Sequence, residues 1–168
     1  MTSPTVSQMF EKLSNDNSNK KLYFYKKLDQ WIGLSGTEIR SSVKDISFAL
    51  RSLKINKGDN VALISNNSPR WAISDYGIIC SGAATVSIYP TLISNQLEYI
   101  LKDSNSKIAF VENQDQMKKV NEVWKNCPNL SHVVLMDDSN NIDNDKVFNF
   151  MDFLNLGTNF ENESEFSF

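Results

Sequence analysis

Residues 60–91, NVALISNNSPRWAISDYGIICSGAATVSIYPT, decide the fold of this chain. The apolar run VALI is followed by a segment of helical length and then by ATVSIY, a second run that is rich in strand-forming residues. Ser68 is placed to accept a hydrogen bond from a free amide of the first helical turn. Pro69 suits the first helical position because proline lacks a backbone amide hydrogen, and an amide at that position would have no helical partner. The stretch therefore predicts a strand, a capped helix and a second strand, which together form a βαβ unit.

The same spacing continues along the chain. Further strands are predicted to start near Ile108 and His132, so that the four strand starts, counted from Val61 and Thr85, lie 24, 23 and 24 residues apart. Nearly continuous apolar strands that alternate with single helices indicate a parallel sheet with right-handed crossovers and helices on both faces. The predicted fold class is therefore α/β, with a mainly parallel sheet built from βα repeats.

Residues before and after these repeats predict smaller elements. Residues 21–25 and 30–34 are two strand-like runs that we expect to pair as an antiparallel ribbon. Thr37 is predicted to cap an amphipathic helix, with Glu38 favourable for its dipole. Ser94 is predicted to cap a later helix, and the apolar segment 147–156 is predicted to be a helix that stops at Gly157.

Composition excludes several classes of function. The formal net charge of −3, with the 17 Lys and Arg residues spread out, argues against binding to nucleic acid. The lysine pairs 20–21, 26–27 and 118–119 are interpreted as solvated faces rather than binding surfaces. Cys80 and Cys127 lack metal-ligand spacing, and Cys80 is interpreted as a buried small hydrophobe. The N-terminus lacks the apolar core of a signal peptide and no run is long enough to span a membrane, so we expect a soluble cytoplasmic protein.

Ligands of open parallel sheets bind at the carboxyl ends of the strands, which here are residues 65–68, 89–91, 112–113 and 136–138. These positions contain no glycine-rich phosphate loop. Gly77 and Gly82 have the spacing of a P-loop, but alanines follow Gly82 where Lys and Ser or Thr would be needed, so we interpret both glycines as packing positions.

The other residues that could take part in catalysis or metal binding are better interpreted as structural or solvated residues. The single histidine, His132, begins a predicted buried strand, and no nucleophile or orienting partner can be assigned to it. Asp137 and Asp138 could coordinate a cation, although two adjacent acids in a loop are more often solvated. The C-terminal residues are acidic with exposed-looking Phe160, Phe166 and Phe168, which predicts that the chain is the front part of a longer protein.

Three motifs in order resemble the N-terminal part of adenylate-forming (AMP-binding) enzymes, in particular long-chain fatty acid CoA ligases. They are NSPRW at 67–71, GAATVSIYPT at 82–91 and LEYILKDS at 97–104, and KGDNV at 57–61 is also similar. The resemblance implies ATP-dependent formation of an acyl-adenylate and then of a thioester with coenzyme A, with Mg²⁺ accompanying ATP. It also implies fatty acid, ATP and CoA as the substrates of the parent enzyme, and it leaves open a peripheral membrane contact and a homodimer.

The resemblance carries no catalytic, cofactor-binding or metal-binding residue onto this sequence. The family's Ser/Thr/Gly-rich phosphate loop, its adenine and acyl-pocket motifs and its C-terminal catalytic Lys have no counterpart in these 168 residues. It implies three segments: a polar N-terminal segment at 1–20, an N-terminal α/β subdomain at 21–137, and an acidic loop with a short helix at 138–168. The alternatives are a fragment of another acyl or aryl acid CoA ligase, and a stand-alone Rossmann-like binding or interaction module.

Overall fold

The computed structural model describes residues 3–137 and 144–160. The helices in these ranges are α1 (Val6–Asp16), α2 (Gly36–Ser52), α3 (Pro69–Ser81), α4 (Ser94–Asp103), α5 (Gln114–Val123) and α6 (Phe150–Phe160). The strands are β1 (Lys21–Lys27), β2 (Gln30–Ser35), β3 (Asn60–Ile64), β4 (Ala84–Ile88), β5 (Ile108–Val111), β6 (His132–Leu135) and β7 (Val147–Asn149). A short 3₁₀ turn, Trp124–Asn126, follows α5.

A parallel sheet with the strand order β4-β3-β5-β6-β7 forms the centre of the described part of the chain. Alternate residues of β3 enter different cores. Val61 and Leu63 pack with α1, α2, α3 and α6, whereas Ala62 and Ile64 pack with α4 and α5. Both faces of the sheet are therefore covered, which explains why its inner strands are apolar without alternation. The predicted α/β fold class is confirmed.

The βαβ unit forms as its sequence predicts. The side chain of Ser68 accepts a hydrogen bond from the amide of Trp71 at 3.1 Å, and Pro69 is the first residue of α3. Gly82 ends the helix in the left-handed conformation, with φ of 89°. Gly77 lies where α2 crosses α3, and a Cβ atom there would come within 2.5 Å of Ile46 Cγ2. Gly77 is a packing position, as expected, whereas Gly82 is a helix-capping position.

The predicted cap of α2 is wrong. Ser35, not Thr37, is the N-cap: its hydroxyl accepts from the Glu38 amide at 3.2 Å, and the Glu38 carboxylate accepts from the Ser35 amide at 2.7 Å. The Thr37 hydroxyl instead donates to the carbonyl of Ser18 at 3.1 Å, which joins α2 to the turn after α1. Ser35 and Glu38 thus form a reciprocal capping box, which is a local signal, and Thr37 makes a contact with the turn after α1 instead.

Two further boundaries differ from the predictions. Ser94 does not cap α4; it is the first helical residue, and its hydroxyl bonds the carboxylate of Glu122. Residues 147–149, predicted as helix, form β7 because they pair with β6, and α6 starts only at Phe150. Gly157 does not stop α6 but lies inside it, where the helix touches the backbone of α2 at Asp45.

The predicted ribbon of β1 and β2 is confirmed as an antiparallel pair. Its two-residue turn, Leu28 and Asp29, has positive φ at both positions, as a tight hairpin turn requires. Helix α1 precedes the ribbon and docks through Phe10, whose ring stacks on Tyr76 at 4.5 Å, and through the ion pair of Glu11 with Arg40. The predicted division into segments 1–20, 21–137 and 138–168 stays a prediction.

Candidate functional site

The carboxyl edge of the parallel sheet is the predicted ligand-binding edge, and its loops are held together by side chains. Glu112, directly after β5, accepts two hydrogen bonds from Asn66, which follows β3: one from the amide nitrogen at 3.0 Å and one from Nδ2 at 2.8 Å. Ser65 is buried, and its hydroxyl donates to the carbonyl of Asn66 at 2.7 Å. The loop after β3 is therefore fixed to the end of the neighbouring strand.

Arg70 makes the corresponding link to the end of β6. Its Nη1 donates to the carbonyl of Met136, and its guanidinium lies over the ring of Phe150, 5.2 Å from the centroid. These contacts join the first turn of α3 to the end of β6 and to the start of α6. The guanidinium acts here as a structural link, since a carbonyl and an aromatic face both engage it.

Lys119 holds the loop that follows β4. Its Nζ donates to the carbonyl oxygens of Pro90 at 2.7 Å and Leu92 at 2.9 Å, and the side chain lies half-buried on α5. Tyr89, in the same loop, remains 79% exposed. The interpretation of Lys118 and Lys119 as a solvated pair is therefore wrong for Lys119, whereas Lys118 is exposed and pairs with Asp115 on its own helix.

The single histidine lies away from the predicted ligand edge. His132 starts β6, so it lies at the amino edge of the sheet, away from the predicted site. Its Nδ1 lies 3.0 Å from the hydroxyl of Ser131, which in turn donates to the carbonyl of Lys107 at 2.9 Å. With the hydroxyl donating to the Lys107 carbonyl, the hydrogen bond between Ser131 and His132 is made with Nδ1 as the donor. Burial, and then the charge of Lys146, lower the pKa of His132.

Metal ligands are not gathered either: within residues 3–137 and 144–160, no three His, Cys, Asp or Glu side chains form a cluster that could hold a metal ion. Glu112 is a single carboxylate at this edge, and its Oε2 already accepts two hydrogen bonds from Asn66. Mg²⁺ requires several oxygen ligands, so this environment does not fit a magnesium site. Asp138 lies outside the described residues, so the interpretation of Asp137 and Asp138 as solvated acids stays a prediction.

Both cysteines have the buried character expected for Cys80. Burial raises the pKa of the Cys80 thiol to about 11, and burial also raises the pKa of Cys127. Neither thiol is a nucleophile at neutral pH, because thiolate is the reactive form. Trp71 and Tyr76 of α3 pack against the core, whereas Tyr99 on α4 is 69% exposed.

A cleft of about 540 Å³ opens beside the carboxyl edge, between the ribbon, the start of α3 and α6. Its apolar wall includes Leu34, Ile73 and Leu154, and Lys26, Lys27 and Arg70 also line it. Phe160, at the end of α6, is half-buried with its ring 6.5 Å from that of Phe48, rather than exposed as predicted. Phe166 and Phe168 lie outside the described residues.

The arrangement of the described residues can therefore position the loops of this edge, and the expectation that no catalytic residue lies in this sequence stays a prediction. The four strand ends were identified from sequence, and each of them takes part in a link made by Glu112, Arg70 or Lys119. Sequence reasoning missed these three linking residues. Only Glu112 carried a signal, its position at the end of a predicted strand; the roles of Arg70 and Lys119 depend on contacts with distant parts of the chain.

The fold and the site define an open α/β protein whose ligand edge is assembled from strand-end loops. Residues 10–154 match the AMP-binding enzyme family, so the chain belongs to that family. It is 28% identical over 131 residues to the long-chain-fatty-acid–CoA ligase ACSBG1 of Rattus norvegicus, an alignment that covers 78% of this chain and 18% of the relative. It is 31% identical over 104 residues to the long-chain-fatty-acid–CoA ligase FadD15 of Mycobacterium bovis, with 62% and 17% covered. The chain thus spans about a fifth of the length of these relatives.

Solved structures share the fold. The anthranilate CoA ligase AuaEII, in complex with anthranoyl-AMP, matches with a TM-score of 0.78 at 23% identity, over 89% of this chain and 27% of that structure. The A-PCP didomain of the carboxylic acid reductase from Segniliparus rugosus, in complex with AMP, matches with a TM-score of 0.79 at 12% identity, over 94% and 27%. The predicted resemblance to adenylate-forming enzymes is confirmed for the family and the fold.

Proposed function

We propose that this chain is the N-terminal part of an ATP-dependent long-chain fatty acid CoA ligase. The observation that carries the proposal is the match of residues 10–154 to the AMP-binding enzyme family. The curated relatives support the acyl class, because their names describe long-chain-fatty-acid–CoA ligases. The parent enzyme would activate a fatty acid as its acyl-adenylate and then form the acyl-CoA thioester.

We propose that this part of the enzyme positions the loops of the ligand edge and does not itself supply catalytic groups. Glu112, Arg70 and Lys119 fix the loops at the carboxyl edge by hydrogen bonds to backbone groups or to a side-chain amide. ATP, Mg²⁺ and CoA would be bound mainly by other parts of the parent enzyme, since the described residues at this edge do not fit a magnesium–nucleotide site. A cytoplasmic location and a homodimer are further proposals for the parent protein.

A fatty-acid-dependent exchange between ATP and pyrophosphate tests whether this chain alone can form an acyl-adenylate. The purified 168-residue chain is expected to show no exchange above a heat-denatured control, because nucleophilic, metal-binding and phosphate-binding groups are not assembled at its ligand edge. The assay should include long-chain, short-chain and aryl acids, so that activity on any carboxylate is detected. Clear exchange with any of them would contradict the proposal that this part is inert alone.

The coding sequence that follows Phe168 separates the remaining possibilities. A Ser/Thr/Gly-rich loop with a Lys, a few tens of residues further on, would support the ligase. Expression of that longer protein and measurement of acyl-CoA formation would then distinguish a long-chain ligase from one for shorter or aryl acids. A stop codon directly after Phe168 would contradict the fragment and favour a stand-alone binding or interaction module.

A further inference from the structure

The ring of His132 lies at one end of a row of aromatic rings that reaches the core under α6. Its centroid is 5.7 Å from that of Phe148 on β7, and the Phe148 centroid is 5.7 Å from that of Phe153 on α6. Phe153 is fully buried and meets Phe110 of β5 edge-on at 5.3 Å. The imidazole is therefore part of the contact between β6 and the strand that leads into α6.

Strand β7 is the shortest strand of the described sheet, and β6 is the strand that holds it. Its three residues pair with residues 133–135 of β6, and it forms the edge of the sheet. The amide of Val133 donates to the carbonyl oxygen of Lys146 at 2.9 Å, so this ladder begins directly beside His132. Because so few hydrogen bonds hold β7, a small change in energy at this end changes how often β7 separates from β6.

The strand register places a positive charge next to the imidazole. Val133 pairs with Val147 in parallel, so His132 and Lys146, each one residue earlier, are neighbours across the two chain segments. Lys146 is exposed, whereas His132 is half-buried. Burial, and then the charge of Lys146, lower the pKa of His132, and the charge of Asp145 opposes them with a smaller effect. The folded chain therefore favours the neutral imidazole.

Charged groups on the other elements packed beside β6 are engaged elsewhere. Lys107, directly before β5, donates from Nζ to the carboxylate of Asp59 at 2.7 Å. Asp152 is the one charged residue within the sequence of α6; its carboxylate accepts from Asn149 Nδ2 at 2.6 Å, at the opposite end of β7 from the imidazole. A proton added to the imidazole therefore gains little from these groups.

The neutral imidazole carries its proton on Nδ1, which donates to the hydroxyl of Ser131 at 3.0 Å. Acidification therefore adds a proton from solvent at Nε2. We propose that His132 is a pH-sensitive latch on β7. The neutral ring packs on Phe148 while β7 pairs with β6, and a positively charged ring beside Lys146 makes β7 separate from β6 more often.

Opening of β7 affects the carboxyl edge of the sheet because α6 follows β7 directly. Asn149 ends the strand and Phe150 begins the helix, and the guanidinium of Arg70 lies over the Phe150 ring, 5.2 Å from its centroid. Arg70 also donates to the carbonyl of Met136 at the end of β6. The latch thus connects protonation at the amino edge with a contact at the carboxyl edge. It involves no substrate and is independent of the proposed ligase function.

Amide hydrogen exchange of the 168-residue chain, followed by NMR at pH 7 and pH 5, tests the latch. After correction for the intrinsic pH dependence of exchange, opening at the amide of Val133 should increase by about 1.5- to 5-fold at pH 5, the effect of like charges opposed across two strands. The increase should begin as the pH falls below 6.5, the ordinary pKa of histidine, because the folded-state pKa is lower. The amide of Glu112, which donates to Ile64 at 2.9 Å between β5 and β3, is the internal control.

The imidazole signal gives a second measurement, and the chain contains one histidine, so the signal is unambiguous. Lys146→Met should raise the pKa of His132 toward 6.5 and reduce the opening at pH 5, whereas Asp145→Asn should lower that pKa further. Lys118→Met removes an exposed lysine from α5 and should change neither quantity. His132→Gln stays uncharged and should abolish the increase in opening between pH 7 and pH 5.

Three results would overturn the proposal. The first is opening at Val133 that is equal at the two pH values or lower at pH 5, which would show that the charged ring is accepted against Phe148. The second is an undiminished increase in His132→Gln, and the third is an unchanged histidine pKa in Lys146→Met. The thermal unfolding midpoint at pH 7 shows whether His132→Gln is folded, and Lys146→Met keeps the test intact if it is not. None of these results depends on the assay with ATP and pyrophosphate, so the two proposals can fail separately.

Discussion

Glu38 shows how a single residue joins three parts of the chain. Its carboxylate accepts hydrogen bonds from Lys21 Nζ at 2.9 Å, from the Ser35 amide at 2.7 Å and from the Ser35 hydroxyl at 2.7 Å. The bond from Lys21, followed by those from Ser35, lowers the pKa of Glu38 from an ordinary 4.5 to about 2. The start of α2 is thereby tied to β1, although the Glu38 side chain is 53% exposed.

The first prediction concerns the pH dependence of stability at this position. Because the folded-state pKa of Glu38 is lowered, its stabilising contribution is present above pH 4.5 and is lost as the pH falls toward 2. Glu38→Gln should therefore unfold at a lower temperature than the original chain at pH 7, and the difference should shrink across that window. Thermal unfolding followed by circular dichroism at several pH values measures it. Lys21→Met is the control: in a chain that carries it, Glu38→Gln should lower the unfolding temperature by less. A difference in unfolding temperature between Glu38→Gln and the original chain that does not change with pH would contradict the prediction.

Gly157 is required by the contact between α6 and α2. A Cβ atom at this position would lie 1.8 Å from the carbonyl oxygen of Asp45, which belongs to the helix backbone and cannot rotate away. Gly157→Ala should therefore lower the free energy of unfolding by about 1–3 kcal/mol, near the upper end of that range, even though alanine favours helices. Denaturant unfolding measures the change. Asn159→Ala, on the exposed face of α6, is the control and should change stability by less than about 0.5 kcal/mol.

At the scale of elements, the carboxyl edge is organised by links between loops and the helices beside them. Glu112 joins the ends of β3 and β5, Arg70 joins α3 to β6, and Lys119 joins α5 to the loop after β4. These links attach the loops of the edge to neighbouring strands and helices. Positioned loops on a rigid sheet are what a ligand edge requires, because loops that are already ordered lose less conformational entropy on binding.

The adjacent residues Lys118 and Lys119 provide a test with an internal control. Lys119→Met should remove two charged hydrogen bonds and make opening of residues 89–93 easier by about 1.5–3 kcal/mol, while Lys118→Met should have little effect. Amide hydrogen exchange resolved at that loop measures the opening. Equal protection of the loop in both variants would show that Pro90 and the packing of the loop, rather than Lys119, hold it in place.

At the scale of the whole molecule, the described residues leave a strand edge and several large apolar side chains exposed. Strand β4 is paired on one side only in the described sheet, and Met151, Ile93 and Tyr89 are exposed near its carboxyl edge. Unpaired strand edges and exposed apolar side chains promote association. We expect the purified chain to associate as its concentration rises, and sedimentation velocity over a concentration series measures this. A monomer at all concentrations, with a single cooperative unfolding transition, would indicate a self-sufficient domain.

The sequence by itself determined the βα repeats of the central sheet, because their signals are local. Each inner strand is a continuous apolar run, and α3 begins at Ser68 and Pro69 and ends before Gly82. The same stretch also gave the family resemblance, which the match of residues 10–154 confirmed. Helix caps and strands buried on both faces are encoded by residues that are neighbours in the sequence. These elements could therefore be predicted without knowing any contact between distant residues.

Only the tertiary structure decided the features that depend on contacts between distant residues. The segment 147–149 forms β7 because its three residues pair with β6, whereas the misplaced cap of α2 had a local signal, the capping box of Ser35 and Glu38. Arg70 and Lys119 act on backbone carbonyls that lie far from them along the chain. A side chain that bonds a backbone oxygen places no demand on the identity of the residue that supplies it, so the sequence carries no paired signal for such a link.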